Sequence, residues 1–233
     1  MEDGANWNII SLGGSLLMPG EIDVSFIRDF KQRIRNHISK GEKFLIIVGG
    51  GKISRWYQAA LKELVSDIPA TEVDWIGIAG TRLNAELLQR SFEGEAFSEL
   101  LSSPEALPSG VEEASLLIGH GWQPGWSTDY VATCFAEKLG AKRVINLSNI
   151  DFVYTSDPKK DAEAVKITQA TWDEYLSYIP EDWQPGLSSP FDPMAARKAK
   201  ELGLTLSFVA ASDLDNFDTC IKGGEFPGSI ITA

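Results

Sequence analysis

Three glycine-rich turns hold the residues best suited to chemistry: Gly13-Gly14-Ser15, Gly49-Gly50-Gly51-Lys52, and the longer stretch from Gly119 to Gly125. Each follows a short apolar run and stands at or near the start of a helical pattern. Glycine lets an anion approach the main chain closely, and the N–H groups at a helix start attract negative charge. One such turn is weak evidence. Three in phase point to a site for several phosphates, against the alternative of three ordinary strand-to-helix turns. Two better-known phosphate signatures are absent. Gly51-Lys52 is followed by Ile53, where a P-loop needs Ser or Thr. A dinucleotide fingerprint beginning at Gly49 meets Ser54 at its third glycine position.

Cations stand beside the second turn. Arg55 can fork across phosphate oxygens and Lys52 offers a point charge, although either could be an exposed helix charge. His120 lies inside the third turn, either as a packed loop residue or as a catalytic group. His37, late in a surface helix, is expected to be inert.

These turns must be positioned by the elements around them. Trp7 to Leu12, Phe44 to Val48, Leu116 to Ile118, Arg143 to Leu147, Leu204 to Val209 and Ser229 to Thr232 read as strands. Trp75 to Ile78 is apolar and reads as extended, which makes Asp74 a strand-edge charge. Helices are expected from Asp23 onward, over Ile53 to Leu64, Arg82 to Phe92, Asp129 to Leu139, Thr171 to Tyr178, Asp192 to about Leu202 and Leu214 to Ile221. Asp23, Ser127 and Asp192 are the candidate caps. A short helix and then a loop are expected between Glu93 and Gly110, a turn at Asp157-Pro158, and a Pro/Gly/Ser loop from Tyr178 to Pro190. Strand and helix alternate throughout. The fold class is therefore α/β, with a largely parallel central sheet covered by helices on both faces. In such a sheet the strand carboxyl ends share one edge, where ligands bind.

The 233 residues suffice for one domain. An apolar fraction of 43% with 23% charged residues is ordinary for a soluble chain. The net charge of −12 argues against a nucleic-acid surface, but not against a local phosphate site. No apolar run is long enough for a membrane, and the N-terminus reads as carrying no signal peptide. Cys134 and Cys220 stand in no metal or redox spacing, so buried thiols in a reducing cytoplasm are expected.

In their order and spacing these motifs resemble the amino acid kinase superfamily and, within it, the archaeal-type UMP kinases. The resemblance runs from about Asn8 to Thr232. It rests on the first two glycine turns with Arg55, Thr81-Arg82 with Asn84-Ala85, Pro124-Gly125 with Ser127-Thr128-Asp129, Asn149 with Asp151, and Val153-Tyr154. Asp157-Pro158-Lys159-Lys160 and Asp192-Pro193 with Ala195-Ala196 complete it. The resemblance implies a single domain, 1–233, with an acceptor lobe to about residue 140 and an ATP lobe after it. It implies transfer of a phosphoryl group from ATP to UMP. The alternatives are another nucleoside monophosphate or small acid as acceptor, or a non-catalytic nucleotide-binding protein.

By the same resemblance Gly14, Ser15, Gly51 and Arg55 would contact the ATP phosphates, and Ser148, Asn149, Tyr154 and Asp157 the adenosine end. Gly50 would face the acceptor phosphate and Asp74 the nucleoside. Trp122, Gln123, Pro124, Gly125, Trp126, Ser127 and Thr128 would line the UMP pocket. Lys52, Arg55 and Asp129 are the catalytic candidates, Asp129 by orienting cationic groups. Mg²⁺ is expected to travel with ATP, with no dedicated metal cage. A homo-oligomer, a hexamer by resemblance, and a role in pyrimidine biosynthesis are implied. The chain departs from the pattern at Ser11, where many superfamily kinases carry Lys, at Arg197 in place of Lys, and at Phe152 in place of Gly. It departs again at His120, Trp122, Gln123 and Trp126 in the acceptor loop.

Overall fold

Runs of β-branched and large apolar residues closed by glycine or a capping side chain become strands, and amphipathic runs between them become helices. The computed structural model describes residues 7–158, 160–180 and 189–233. In chain order the elements are β1 (Trp7–Leu12), α1 (Gly14–Leu17), α2 (Val24–Ile38), β2 (Lys43–Val48), α3 (Gly51–Leu64), α4 (Ala70–Ser91) and β3 (Leu116–Gly119). They continue with α5 (Thr128–Leu139), β4 (Arg143–Ser148), β5 (Val153–Tyr154), β6 (Lys166–Ile167), β7 (Gln169–Thr171) and α6 (Trp172–Tyr178). The last are α7 (Pro193–Glu201), β8 (Thr205–Ala210), α8 (Leu214–Ile221) and β9 (Gly228–Thr232).

Seven strands form one sheet in the order β3-β2-β1-β4-β8-β9-β7. All neighbours are parallel except β8 and β9. β5 and β6 form a separate antiparallel pair. Alternate residues of each strand enter opposite cores, as the two-residue period of a strand requires. Ile9, Leu45, Ile47 and Val144 belong to one core with Phe135 of α5 and Ala195 of α7. Ile10, Ile46, Val48 and Ile145 belong to the other, with Phe30 of α2, Leu88 of α4 and Phe217 of α8. The sheet is therefore covered on both faces, as the alternation of elements indicates.

The three anticipated caps are present. Asp23, Ser127 and Asp192 side chains accept from Phe26, Tyr130 and Ala195 N–H at 2.9, 3.1 and 2.8 Å. Cys134 and Cys220 are buried free thiols. Among the described residues no helix is long and apolar enough to cross a membrane.

The structure corrects the sequence reading in three places. Trp75 to Ile78 is not extended but lies within α4. A short apolar run fits either period, and here Val73, Gly80, Thr81, Asn84, Ala85 and Leu88 supply a buried helical face. Asp74 is thus a helix residue. The short helix expected after Glu93 does not form. That segment runs along the sheet edge instead, with Phe97 N–H donating to Leu116 O and Leu101 N–H to Ile118 O, both at 2.9 Å. His37 is not on the surface. It is 3% exposed, and its Nε2 bonds Asp218 at 2.8 Å. The segment 181–188, within the expected loop, and Lys159 lie outside the described residues.

α4 and α3 pack closely because small residues line their contact. Ser54 Oγ donates to Gly77 O at 2.9 Å, and a Cβ at Gly80 would sit 2.2 Å from Ser54 Oγ and 3.1 Å from Ser54 Cα. Overpacking of this kind costs about 1–3 kcal/mol. Gly80→Val should lower the unfolding free energy by that amount in urea titration. An unchanged midpoint would show that the two helices separate without cost.

Candidate functional site

Parallel register brings the ends of β1, β2, β3, β4 and β8 to one edge, and the glycine turns leave from there. The first two turns meet main chain to main chain. A Cβ on Gly14 would fall 2.2 Å from Gly49 O and 2.3 Å from Gly51 N. Gly51 has φ +60° and opens α3, and a Cβ there would fall 2.3 Å from Gly14 O. No side chain fits between them, so the edge presents bare backbone at two helix starts.

α4 holds the second and third turns from behind. Asn84 Nδ2 donates to Gly49 O at 2.9 Å and to Gly50 O at 3.1 Å. Thr81 Oγ1 accepts from Gly121 N–H at 2.9 Å. Asp74 Oδ2 accepts from Gly125 N–H at 2.8 Å. Asp74, Thr81 and Asn84 recur at helical spacing and so lie on one face of α4. Thr81 and Asn84 were visible in the sequence only as motif letters. The signal available was two polar residues on the side of an amphipathic helix that must be buried.

The aromatic residues of the acceptor loop contact one another. Trp122 and Trp126 meet edge to face at 4.4 Å between ring centroids, and Trp126 meets Tyr130 of α5 at 4.8 Å. Trp122 also packs on the core shared by α5 and α7. Gln123 O accepts from Trp126 N–H at 3.3 Å, which tightens the turn around Pro124. Ser127 caps α5 and Thr128 begins it. His120 is 7% exposed, and its Nδ1–H donates to Gly121 O at 2.7 Å. Burial holds its pKa below the usual value. It packs as a neutral loop histidine.

On the β4 side, Asn149 Nδ2 donates to Ser15 Oγ at 3.3 Å, which links two of the residues expected at ATP. Ser148 Oγ accepts from Ile150 N–H at 3.2 Å, and Ser148 Cβ lies 3.2 Å from where a Cβ on Gly13 would stand. Tyr154 ends β5, and Asp157, paired with Lys160 at 3.6 Å, follows it. Lys52 and Arg55 are the second and fifth residues of α3, with no ion pair or hydrogen bond to any described residue. They are cations at a bare-backbone edge on a strongly acidic chain.

Asp129 of α5 ties β1 and β4 to the start of α7. Its Oδ1 accepts from Ser11 Oγ at 2.6 Å and from Asn146 Nδ2 at 3.3 Å, and its Oδ2 accepts from Asp192 N–H at 3.3 Å. Ser11, the residue that departs from the superfamily pattern, thus contacts Asp129 directly. Burial raises the Asp129 pKa to about 6, and the neighbouring Asp192 carboxylate adds to the shift. Burial raises Asp192 too. Asn146 Oδ1 is buried and has no partner among the described residues. Among those residues no group of three or more His, Cys, Asp or Glu converges as a metal site would.

The model of the amino acid kinase family matches residues 6–208. The chain belongs to the amino acid kinase family. A uridylate kinase of Thermococcus kodakarensis is 32% identical over 216 residues, 92% of this chain and 95% of that one. One of Methanocorpusculum labreanum is 30% identical over 224 residues, 96% of this chain and 94% of its own. The crystal structure of uridylate kinase from Archaeoglobus fulgidus superposes with a TM-score of 0.82 at 29% identity, covering 97% of this chain and all of that one.

Asp129 predicts a pH dependence. Its folded pKa of about 6 exceeds the ordinary 3.8, so the folded chain binds this proton more tightly than the unfolded chain. Its contribution is most favourable below about pH 4 and is lost as pH rises through 6. Asp129→Asn should remove that slope. From pH 4 to 7 the variant should gain on the order of 1–3 kcal/mol over wild type. Urea titrations at several pH values measure this, and parallel curves for the two proteins would refute it.

Proposed function

We propose that the protein transfers the γ-phosphoryl group of ATP directly to UMP, giving ADP and UDP for pyrimidine nucleotide synthesis. The observation that carries this reading is the bare-backbone edge where Gly14 meets Gly51, followed in the chain by Lys52 and Arg55, which have no partner among the described residues. Phosphoryl transfer asks little covalent work of a protein. It asks for positioning and for charge aimed at the transferring group. Backbone N–H groups and two cations meet that need. The identity of UMP as acceptor is supported by the uridylate kinases that match almost the whole chain.

In this reading Gly14, Ser15 and Gly51 hold the ATP phosphates, with Arg55 forking across oxygens and Lys52 as a point charge. Ser148, Asn149, Tyr154 and Asp157 receive the adenosine end. Gly50 faces the UMP phosphate. Asp74 has one oxygen committed to Gly125, and the other is assigned to the nucleoside. Trp122 through Thr128 form the acceptor wall. Asp129, through Ser11 and the backbone of Asp192, fixes the meeting point of the two halves. The halves are 1–140 for the acceptor and 141–233 for ATP, within one domain.

Mg²⁺ fits as an ion carried by ATP. Asp129 already accepts three hydrogen bonds and is poorly suited to ligate a metal, whereas the glycine edge suits phosphates that bring their own ion. When bound, Mg²⁺ supplies charge neutralisation of phosphate oxygens. A cytoplasmic location goes with this activity.

The assay is ADP release with Mg-ATP and, separately, UMP, CMP, dUMP, AMP and GMP. UMP should be turned over fastest. Silence on all five would overturn the proposal, and a faster rival would move the acceptor. Arg55→Ala should lower kcat/KM about a hundredfold, the scale for losing a charge-stabilising donor. Near-normal activity would remove Arg55 from the phosphate site.

We propose further that the protein is a homo-oligomer, a hexamer by resemblance, joined through α3 and α4. Trp56, Tyr57 and Leu64 are 51%, 64% and 81% exposed, and Trp75 and Leu83 are 49% and 57% exposed. Aromatic residues presented in this way suit an interface. Trp56→Asp should lower the mass measured by light scattering. A monomeric wild type, or an unchanged mass, would place the apolar face elsewhere in the protein's life.

A further inference from the structure

Phe152 stands just before β5 and Tyr154 ends it. Between them Val153 is fully buried in the core and donates its N–H to Ser229 Oγ at 2.8 Å. Residues two apart in extended chain point the same way, so Phe152 and Tyr154 share the face opposite the core. Both are half-buried, and neither packs on either core. Lys166, opposite Tyr154 in the β5–β6 register, places its Nζ 3.8 Å from the Phe152 ring centroid. The hairpin thus holds out an aromatic ring that the core does not use, steadied by a cation on its π-face. It follows β4, whose exit carries Ser148 and Asn149, and Asn149 is bonded to Ser15 of the first glycine turn.

We propose that Phe152, backed by Lys166, is the surface on which the base of the phosphoryl donor stacks, so that it sets affinity for the adenine ring. The proposal rests on the reading that ATP lies along this edge. A flat base offers a π-face to a phenyl ring, and the cation strengthens the pair. Phe152 occupies a position where the superfamily pattern expects glycine, so the ring is an addition by this chain to the donor site.

The test is direct binding to the full chain, which needs no turnover. Wild type, Phe152→Ala and Phe152→Tyr are titrated calorimetrically with Mg-ATP and with Mg-tripolyphosphate, which has phosphates and no base. Phe152→Ala should weaken ATP about tenfold, within the range for loss of one base–aromatic stack. It should leave tripolyphosphate within about twofold, and Phe152→Tyr should keep ATP affinity. Unchanged ATP affinity in Phe152→Ala would overturn the proposal. So would a parallel loss of both ligands, which would mark the ring as structural. Wild type that binds ATP through this ring but phosphorylates no acceptor would remove the kinase reading and leave this one standing.

Discussion

The contact between Gly14 and the Gly49–Gly51 turn is the constraint on which the site depends. Two neighbouring parallel strands end there, and their turns come closer than any side chain permits. A single methyl group at either place would drive β1 and β2 apart at the carboxyl edge. The same closeness strips the edge of side chains and leaves backbone exposed there, the kind of surface an anion can approach. Asn84 then fixes the carbonyls of Gly49 and Gly50 from the rear, which prevents the turn from relaxing into another conformation. Asp74 and Thr81 extend the same support to the third turn.

Electrostatics around this edge divide by depth. Lys52 and Arg55 stay outside, with no ion pair or hydrogen bond among the described residues. Asp129 and Asp192 lie further in, each raised in pKa by its surroundings. The inner carboxylates connect β1, β4, α5 and α7 through hydrogen bonds. Their cost is offset by the elements they join. Tyr175 completes this framework: its hydroxyl accepts from Phe191 N–H at 3.0 Å, next to Asp192. Positive charge thus lies at the rim, with buried carboxylates beneath it.

Much of this was legible in the sequence, and the reasons differ from residue to residue. The buried strands could be read because Phe44 to Val48 is short, apolar and sharply bounded, and Arg143 to Leu147 is short and centred on Val144 and Ile145. Asp23, Ser127 and Asp192 could be read as caps because a capping bond is local. The glycine turns were visible as turns, but their mutual contact was not, since it joins residues far apart in the chain. The α4 stripe was missed for the same reason, and because Trp75 to Ile78 mimics a strand. His37 was misread because its partner, Asp218, belongs to the distant helix α8. The β5–β6 hairpin is two residues deep on each side, too short for any periodicity to register.

The margins of the sheet have a consequence of their own. β3 is four residues long, and its outer side is already taken by the non-helical segment that pairs Phe97 with Leu116 and Leu101 with Ile118. At the opposite margin β7 has three residues and runs straight into α6. Neither margin offers a long row of open N–H and C=O groups to another chain. Margins this short give a neighbouring chain little to extend, which disfavours runaway strand addition. Contact between copies of this chain would then fall to its helical surfaces, where association can close rather than grow into fibres.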